Sequence, residues 1–70
     1  MTLKELRHIN KKTAAEVAEK LGIAVSTLYN YEQGIRRVSI EQIIPLAELY
    51  DATEREVIEA QIESVKERQS

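Results

Sequence analysis

The stretch from Ala14 to Gln33, AAEVAEKLGIAVSTLYNYEQ, limits the possible folds more than any other part of this chain. In its first half, apolar and small residues lie at helical spacing and form one stripe: Val17, Ala18 and Leu21. Gly22 falls where this helix must stop, because the residue just past a helix end often needs a positive φ, which glycine adopts without steric conflict. The pattern therefore predicts a short helix that ends in a sharp turn.

A second helix is predicted to follow at once, from about Val25 to Gln33, with Gly34 at its end. Its apolar residues are again spaced by about one helical turn: Val25, Leu28 and Tyr31. Two helices joined by so short a turn must cross steeply. We expect Ile23 to fill the corner and Ala18 to lie at the closest approach, where a larger side chain would push the helices apart.

This spacing resembles that of the Cro and repressor-type (Xre) family of helix-turn-helix DNA-binding proteins from bacteria and their phages. The family pattern has an alanine, a turn glycine and apolar residues at the positions of Val17, Ala18, Leu21, Gly22, Ile23, Leu28 and Tyr31. The family also has one helix before this motif and two after it, so the resemblance extends from about Thr2 to Val65. It implies an all-α fold, namely a compact five-helix, lambda-repressor-like DNA-binding domain. From the residues alone, a helical hairpin with no role in nucleic-acid binding remains open.

Pairs of threonine and glutamate at capping-box spacing mark the starts of three helices: Thr2 and Glu5, Thr13 and Glu16, Thr53 and Glu56. The first helix is expected to run to about Asn10 and to bury Leu3, Leu6 and Ile9. Ser39 is expected to cap a fourth helix, from Ile40 to Tyr50, that buries Ile40, Ile43, Ile44, Ala47 and Leu49. Pro45 should either kink this helix or end its first turn.

The last helix is predicted to reach about Arg68, and its apolar residues line one side: Val57, Ile58, Ile62 and Val65. The last three extend beyond what a small core can cover and lie among many charges. Such a stripe is typical of a helix that has a partner. We therefore expect residues 53–68 to form a dimerisation helix in which Ile58, Ile62 and Val65 contact a second copy of the chain. The alternative is that the stripe packs against the first and fourth helices of its own subunit.

Seventy residues allow one domain, residues 1–70, with one modest core. The chain has no cysteine, which excludes disulfides, thiolate metal sites and a thiol nucleophile. It has no signal-peptide pattern and no apolar run long enough to cross a membrane, so we expect a cytoplasmic protein without a membrane contact. The lone His8 has no second base or acid cluster at ligand spacing. We therefore expect no enzyme activity, no cofactor, no metal and no small-molecule ligand.

Charge is unevenly distributed, although the net charge is only −2. Residues 1–37 carry seven basic and four acidic side chains, a net charge of +3, whereas residues 38–70 carry three and eight, a net charge of −5. Such an asymmetry is expected when one end of a domain meets phosphate and the other faces away. A charge of +3 is weak for a DNA-binding protein. Two subunits would double it, which again favours a homodimer.

The resemblance assigns roles to individual positions. The second helix of the motif would enter the major groove and contact bases through Val25, Ser26, Tyr29 and Asn30. Phosphates would be contacted by residues in or beside the motif: Arg7, Lys11, Lys12, Thr13, Thr27, Gln33, Arg36 and Arg37. In the family an arginine at the position of Arg7 pairs with a glutamate near the end of the recognition helix, here Glu32, and we expect this structural ion pair. The chain departs from the family at Ala14 and Ala24, which replace a polar phosphate ligand and a side-chain helix cap.

The resemblance implies a sequence-specific transcriptional regulator, of a prophage or mobile element, that binds an inverted-repeat operator in double-stranded DNA as a homodimer. The rival hypothesis is an interaction module that uses the same fold to bind another regulator, in a hetero-complex such as that of an anti-repressor or an antitoxin. The weak basic footprint and the acidic C-terminal half are compatible with this rival.

Overall fold

The structure, a computed structural model, describes residues 1–69. This range contains five α-helices and no strand: α1 (Leu3–Ile9), α2 (Ala14–Leu21), α3 (Val25–Glu32), α4 (Ile40–Leu49) and α5 (Glu54–Gln69). Helix α2 contacts α3 and α4, while α5 contacts α1, α3 and α4. The predicted all-α, five-helix architecture is therefore confirmed, and α2 and α3 are the two helices of the motif.

Threonine and glutamate side chains start three of the helices, as the sequence predicts. Before α2 the Thr13 hydroxyl accepts from the Glu16 amide at 3.1 Å, and the Glu16 carboxylate accepts from the Thr13 amide at 2.9 Å. The same reciprocal pairs start α1 and α5: Thr2 with Glu5, and Thr53 with Glu56. Before α2, the hydrogen bond from the Thr13 amide holds the pKa of the Glu16 carboxyl below its usual value, because it stabilises the ionised form. Ser39 precedes α4, but its side chain makes no capping hydrogen bond, so that part of the prediction is wrong.

The corner between α2 and α3 is closed by small and aliphatic side chains. Val17 and Ala18 on α2 and Leu28 on α3 are buried, and Ile23 packs partly buried against the same cluster. Gly22 ends α2 with a φ of +69°, the left-handed conformation that the sequence predicts for it. The two helices therefore contact each other across a turn that glycine makes possible.

Three isoleucines that were predicted to be buried are exposed instead: Ile9, Ile40 and Ile44. The buried face of α4 consists of other residues, which continue just past the helix: Ile43, Leu46, Ala47 and Tyr50. Ile44 lies about 100° from Ile43 around the helix, and Ile9 lies about 120° from Leu3 around α1, so each faces away from the core. Ile40 is the first residue of α4, and its side chain leans toward the N-terminus, off the end of the helix.

Pro45 lies inside α4 without ending it. The helix continues through Pro45 to Leu49, so the alternative in which the proline ends the first turn is wrong. Because proline has no amide hydrogen, the Glu41 carbonyl lacks its usual helical donor. Leu49, predicted to be buried, is partly buried against the core.

Helix α5 turns a narrow stripe of mostly small residues toward the rest of the domain: Val57, Ala60 and Ser64. The Ser64 hydroxyl accepts from the Leu3 amide at 3.1 Å and donates to the Ala60 carbonyl at 2.9 Å, so it joins α5 to the start of α1. Ile58 and Ile62 face outward, 41% and 50% exposed, and Val65 is half-buried. The alternative in which the apolar stripe packs inside its own subunit is therefore wrong for these two isoleucines.

Gly34 brings the end of α3 against the backbone of α5. Its φ is +74°, and a Cβ placed on it would lie 2.8 Å from the Ser64 carbonyl oxygen and 2.9 Å from the Val65 Cα. Both are backbone atoms, which cannot rotate away as the end of a side chain can. Only glycine therefore allows α3 and α5 to approach so closely.

We expect Gly34→Ala to destabilise the domain more than Gly22→Ala, although both replace a glycine at positive φ. At Gly22 a Cβ meets nothing within 4 Å. The loss there should be about 1–2 kcal/mol, from the backbone conformation alone. At Gly34 the overlap with α5 adds to that loss. Urea unfolding measures both variants, and equal stabilities would contradict the close packing of Gly34 on α5.

Candidate nucleic-acid interface

Helix α3 is fixed along its buried side and at its C-terminal end. Leu28 and Tyr31 are buried in the core, and the helix contacts α1, α2 and α5. Beyond its last turn, the Asn30 carbonyl accepts from the amides of Ile35 and Arg36, at 3.0 and 3.2 Å. The position of α3 is therefore determined by three helices, and its remaining face is open to solvent.

A buried ion pair joins α3 to α1. The Arg7 guanidinium donates from Nε to Glu32 Oε2 at 2.6 Å and from Nη2 to Glu32 Oε1 at 3.1 Å, which is a bidentate arrangement. Its Nη1 donates to the Lys12 carbonyl at 3.2 Å, in the connection between α1 and α2. The two side chains are only 8% and 3% exposed. The expected ion pair is thus present, and the hydrogen bond to Glu32 raises the pKa of Arg7 above its usual value.

This burial changes the role expected of Arg7. The resemblance assigned it a phosphate contact as well as the ion pair with Glu32. The residue is buried, and all three of its guanidinium nitrogens already donate to groups inside the protein. We therefore assign Arg7 to the support of α3 and of the α1–α2 connection, and do not retain its phosphate contact.

The outward side of α3 carries the four residues predicted to contact bases. Val25 and Tyr29 are 38% and 44% exposed, Ser26 is exposed and Asn30 is half-buried. Because they are spaced i, i+1, i+4 and i+5, they share one side of the helix. Ala24, which precedes them, provides no side-chain cap, as the sequence predicts. The structure thus presents two polar, one aromatic and one aliphatic side chain together.

The other residues predicted to contact phosphate lie at or near the surface: exposed Lys11, Thr13, Gln33, Arg36 and Arg37, and half-buried Lys12 and Thr27. Three of them form the α1–α2 connection, where Lys11 adopts a positive φ of 56° and so makes a tight turn. Three others lie at the end of α3 or just after it. The basic side chains therefore lie in two connections, one before α2 and one after α3.

The N-terminus of α2 has few groups free to bind a phosphate, although helix N-termini often bind anions. Ala14 is 6% exposed and belongs to the core, so this position presents no side chain to solvent. The Thr13 amide donates to the Glu16 carboxylate, and a phosphate would have to compete with that carboxylate. The Thr13 hydroxyl accepts in the capping box and keeps its own hydrogen for donation.

Sequence reasoning missed Lys4 as a neighbour of this surface. Lys4 is exposed on α1 and lines a cleft together with Tyr29, Glu32 and Gln33. The signal was its spacing, because Lys4 lies three positions before Arg7 and hence one turn along the same side of α1. The ion pair that brings Arg7 to α3 therefore brings a further cation to the end of α3.

Within residues 1–69, no group of three or more histidine, cysteine or acidic side chains is placed to hold a metal ion. No helix in the described part of the chain is long and apolar enough to span a bilayer. The main chemical feature of the surface is the open side of α3 between two basic connections.

Comparison with known proteins identifies the family. A family model described as a helix-turn-helix domain matches residues 1–60. Since this match extends over most of the chain, the chain belongs to the helix-turn-helix family, and the family predicted from the spacing of the motif is confirmed. No solved structure matches it significantly.

Curated relatives of this chain are regulators by name. Over 51 residues it is 45% identical to the HTH-type transcriptional regulator AnsR and 37% identical to the uncharacterized HTH-type transcriptional regulator YobD, both of Bacillus subtilis strain 168. Each alignment covers 73% of this chain, but only 44% of AnsR and 46% of YobD. A putative HTH-type transcriptional regulatory protein of Thermococcus kodakarensis is 37% identical over 57 residues, which are 81% of this chain and 18% of that protein. The chain thus spans less than half the length of each of these relatives.

We expect Glu32→Gln to lower the free energy of unfolding by about 3–5 kcal/mol, because it leaves the Arg7 guanidinium buried without its counter-charge. Glu59→Gln is the matched control, since it breaks the exposed α5 pair with Arg55, whose side chains are 65% and 88% exposed. It should have little effect. Replacing both buried partners, as Arg7→Met with Glu32→Leu, should recover part of the loss. Chemical denaturation measures all three, and equally small losses in the two glutamate variants would contradict the structural role of the pair.

Proposed function

We propose that this chain is the DNA-binding part of a sequence-specific transcriptional regulator, in which α3 enters the major groove. The observation that carries the proposal is the presentation of α3. Leu28, Tyr31 and Glu32 anchor the helix from behind, and its opposite side is open between two basic connections. A helix held in this way can place side chains against base edges in one fixed register. The names of the curated relatives support a role in transcription.

The open side of α3 has chemistry suited to reading bases. The Asn30 amide can donate and accept together, as a bidentate pair with adenine requires, and each such pair contributes roughly 1–3 kcal/mol of discrimination. Ser26 can donate to or accept from several bases, and Val25 can contact a thymine methyl group. Tyr29 would reach a base or a phosphate. We therefore place sequence discrimination at the N-terminal half of α3 and at Asn30.

Phosphate contacts on either side of the groove would set the register of α3. Lys11, Lys12 and Thr13 would contact one strand, while Arg36 and Arg37, with Gln33, would contact the other. Thr27 and the newly placed Lys4 would add to these contacts. Because the basic part of the chain has a net charge of only +3, a single copy would bind DNA weakly.

A homodimer would overcome this weakness and match an inverted repeat. The outward isoleucines Ile58 and Ile62, with half-buried Val65 beside them, offer an apolar stripe on α5 for a second copy. Two α3 helices related by a two-fold axis would read half-sites about one turn of DNA apart. Bound there, the dimer would act by blocking the promoter or by contacting polymerase. An origin in a prophage or mobile element stays a prediction from the family resemblance.

We expect the purified protein to enrich an inverted repeat from a random duplex library at about 0.15 M salt, with half-sites about 10–10.5 base pairs apart. Arg36→Ala and Arg37→Ala should each reduce the slope of log K against log salt by about 0.9, because each removes one phosphate contact. Arg55→Ala is the matched control, since Arg55 is exposed on α5 and outside the proposed interface. The enriched sequence and titrations of the variants at several salt concentrations measure both effects.

Folded protein that enriches no sequence would contradict this proposal. It would favour the rival function, an interaction module that binds another regulator, and the acidic residues after position 37 would then be the first surface to test. Equal salt slopes for Arg36→Ala and Arg55→Ala would show that the connection between α3 and α4 lies outside the interface. The proposal that α3 contacts the bases would still stand.

For the dimer, we expect Ile62→Lys to convert a two-chain species into a single chain, because a charge on the apolar stripe cannot be buried unpaired. Ile44→Lys is the matched control, since Ile44 is 55% exposed and Ile62 is 50% exposed, but Ile44 lies on α4. Sedimentation equilibrium measures the mass of each variant. A two-chain mass that Ile62→Lys leaves unchanged, or that Ile44→Lys abolishes, would show that α5 is not the interface.

A further inference from the structure

The connection between α3 and α4, residues 33–39, carries Arg36 and Arg37, and both of its ends are attached to α5. At its start, Gly34 lies so close to the α5 backbone that no Cβ would fit between them. At its end, the buried Val38 donates its amide hydrogen to the Oε1 of Gln61, whose side chain is half-buried on α5. A helix far along the chain thus holds both sides of the arginine pair.

Arg36 and Arg37 differ in how their own backbone is held. The Arg36 amide donates to the Asn30 carbonyl at the end of α3, at 3.2 Å. Arg37 itself lies between two residues whose amides are held, Arg36 and Val38. It lines a cleft together with Gln61, Ile62 and Val65. The Gln61 amide group is therefore the restraint nearest to Arg37 on the C-terminal side.

We propose that Gln61 is a positioning residue for DNA binding, which holds the α3–α4 connection so that Arg36 and Arg37 face the phosphate backbone before DNA arrives. The inference rests on the proposed function, because it assigns Gln61 a role in the same interface. A connection held in its bound shape loses little conformational entropy on binding, whereas a free one loses that of several residues. Gln61 acts through the arginines and does not itself contact DNA.

The test uses the full chain with Gln61→Leu, which keeps a side chain of similar size but removes the acceptor for the Val38 amide. Gln42→Leu is the matched control, because the Gln42 side chain donates to the Leu21 carbonyl and so also joins distant parts of the chain, but not this connection. Hydrogen exchange of the Val38 amide should accelerate about tenfold in Gln61→Leu and not in Gln42→Leu. Gln61→Glu retains an oxygen acceptor and should retain the protection of Val38.

Binding to the enriched duplex should weaken about tenfold in Gln61→Leu and remain unchanged in Gln42→Leu. A double-mutant cycle distinguishes positioning from general loss of stability. In a chain that already carries Arg36→Ala and Arg37→Ala, Gln61→Leu should have no further effect on affinity, because the groups that it positions are gone.

Unchanged exchange of Val38 in Gln61→Leu would overturn the inference whatever the DNA result. So would an affinity loss of the same size with and without the two arginines. If the wild-type chain binds no DNA at all, the proposed function fails and the DNA-positioning role fails with it, and the exchange comparison then reports separately whether Gln61 orders the connection.

Discussion

The buried pair of Arg7 and Glu32 connects parts of the domain that are far apart in sequence. Removing two charges from water is unfavourable by several kcal/mol for each ion, so the pair is stable only if its geometry satisfies both groups. Here the carboxylate accepts two hydrogen bonds, and the remaining guanidinium nitrogen donates to the Lys12 carbonyl. Burial also raises the pKa of the neighbouring Tyr50 hydroxyl. A slip of α3 by one residue would leave a buried charge unpaired, so the pair specifies the position of α3.

Helix α5 is the second element that constrains the positions of α1 and α3, and it contacts them mostly through small side chains. Ala60 and Ser64 let the helix lie close to α1, and Gly34 lets the end of α3 lie against the α5 backbone. Since the inward side of α5 is occupied in this way, its larger aliphatic residues Ile58 and Ile62 must face outward. The same packing that supports the proposed DNA-binding connection therefore exposes the stripe proposed for the second subunit.

The distribution of charge is consistent with this division of the molecule. The basic residues lie mainly before position 38, and the acidic residues of α4 and α5 follow. Arg7 and Glu32 both belong to this first part and neutralise each other inside the fold, so six basic and three acidic side chains remain there and the net charge is still +3. Because this net charge is small, the positions of the individual cations would matter more than their number in the proposed complex with DNA. In the proposed complex Gln61 and Glu32 would therefore affect binding, although they lie behind the proposed interface.

Local spacing in the sequence determined most of the helices and the identity of the motif. The threonine–glutamate caps, Gly22 and the stripe of Val17, Ala18 and Leu21 each depend on residues within one or two helical turns, so their outcome is readable from the chain alone. The Arg7–Glu32 pair was predictable only through the family resemblance, because the residues are distant in sequence.

Tertiary structure decided which side of each amphipathic helix was buried. Apolar character favoured Ile40 and Ile44 along with Ala47, but the packing around α4 buries Ala47 and Leu46 and leaves the two isoleucines exposed. On α5, Ala60 and Ser64 face inward because α1 and α3 pack closely against that side. The composition of the helix does not indicate this choice. The roles proposed for Lys4 and Gln61 likewise depend on contacts between distant segments. A helical pattern specifies which residues share a side, and only the packing of its neighbours determines which side faces the core.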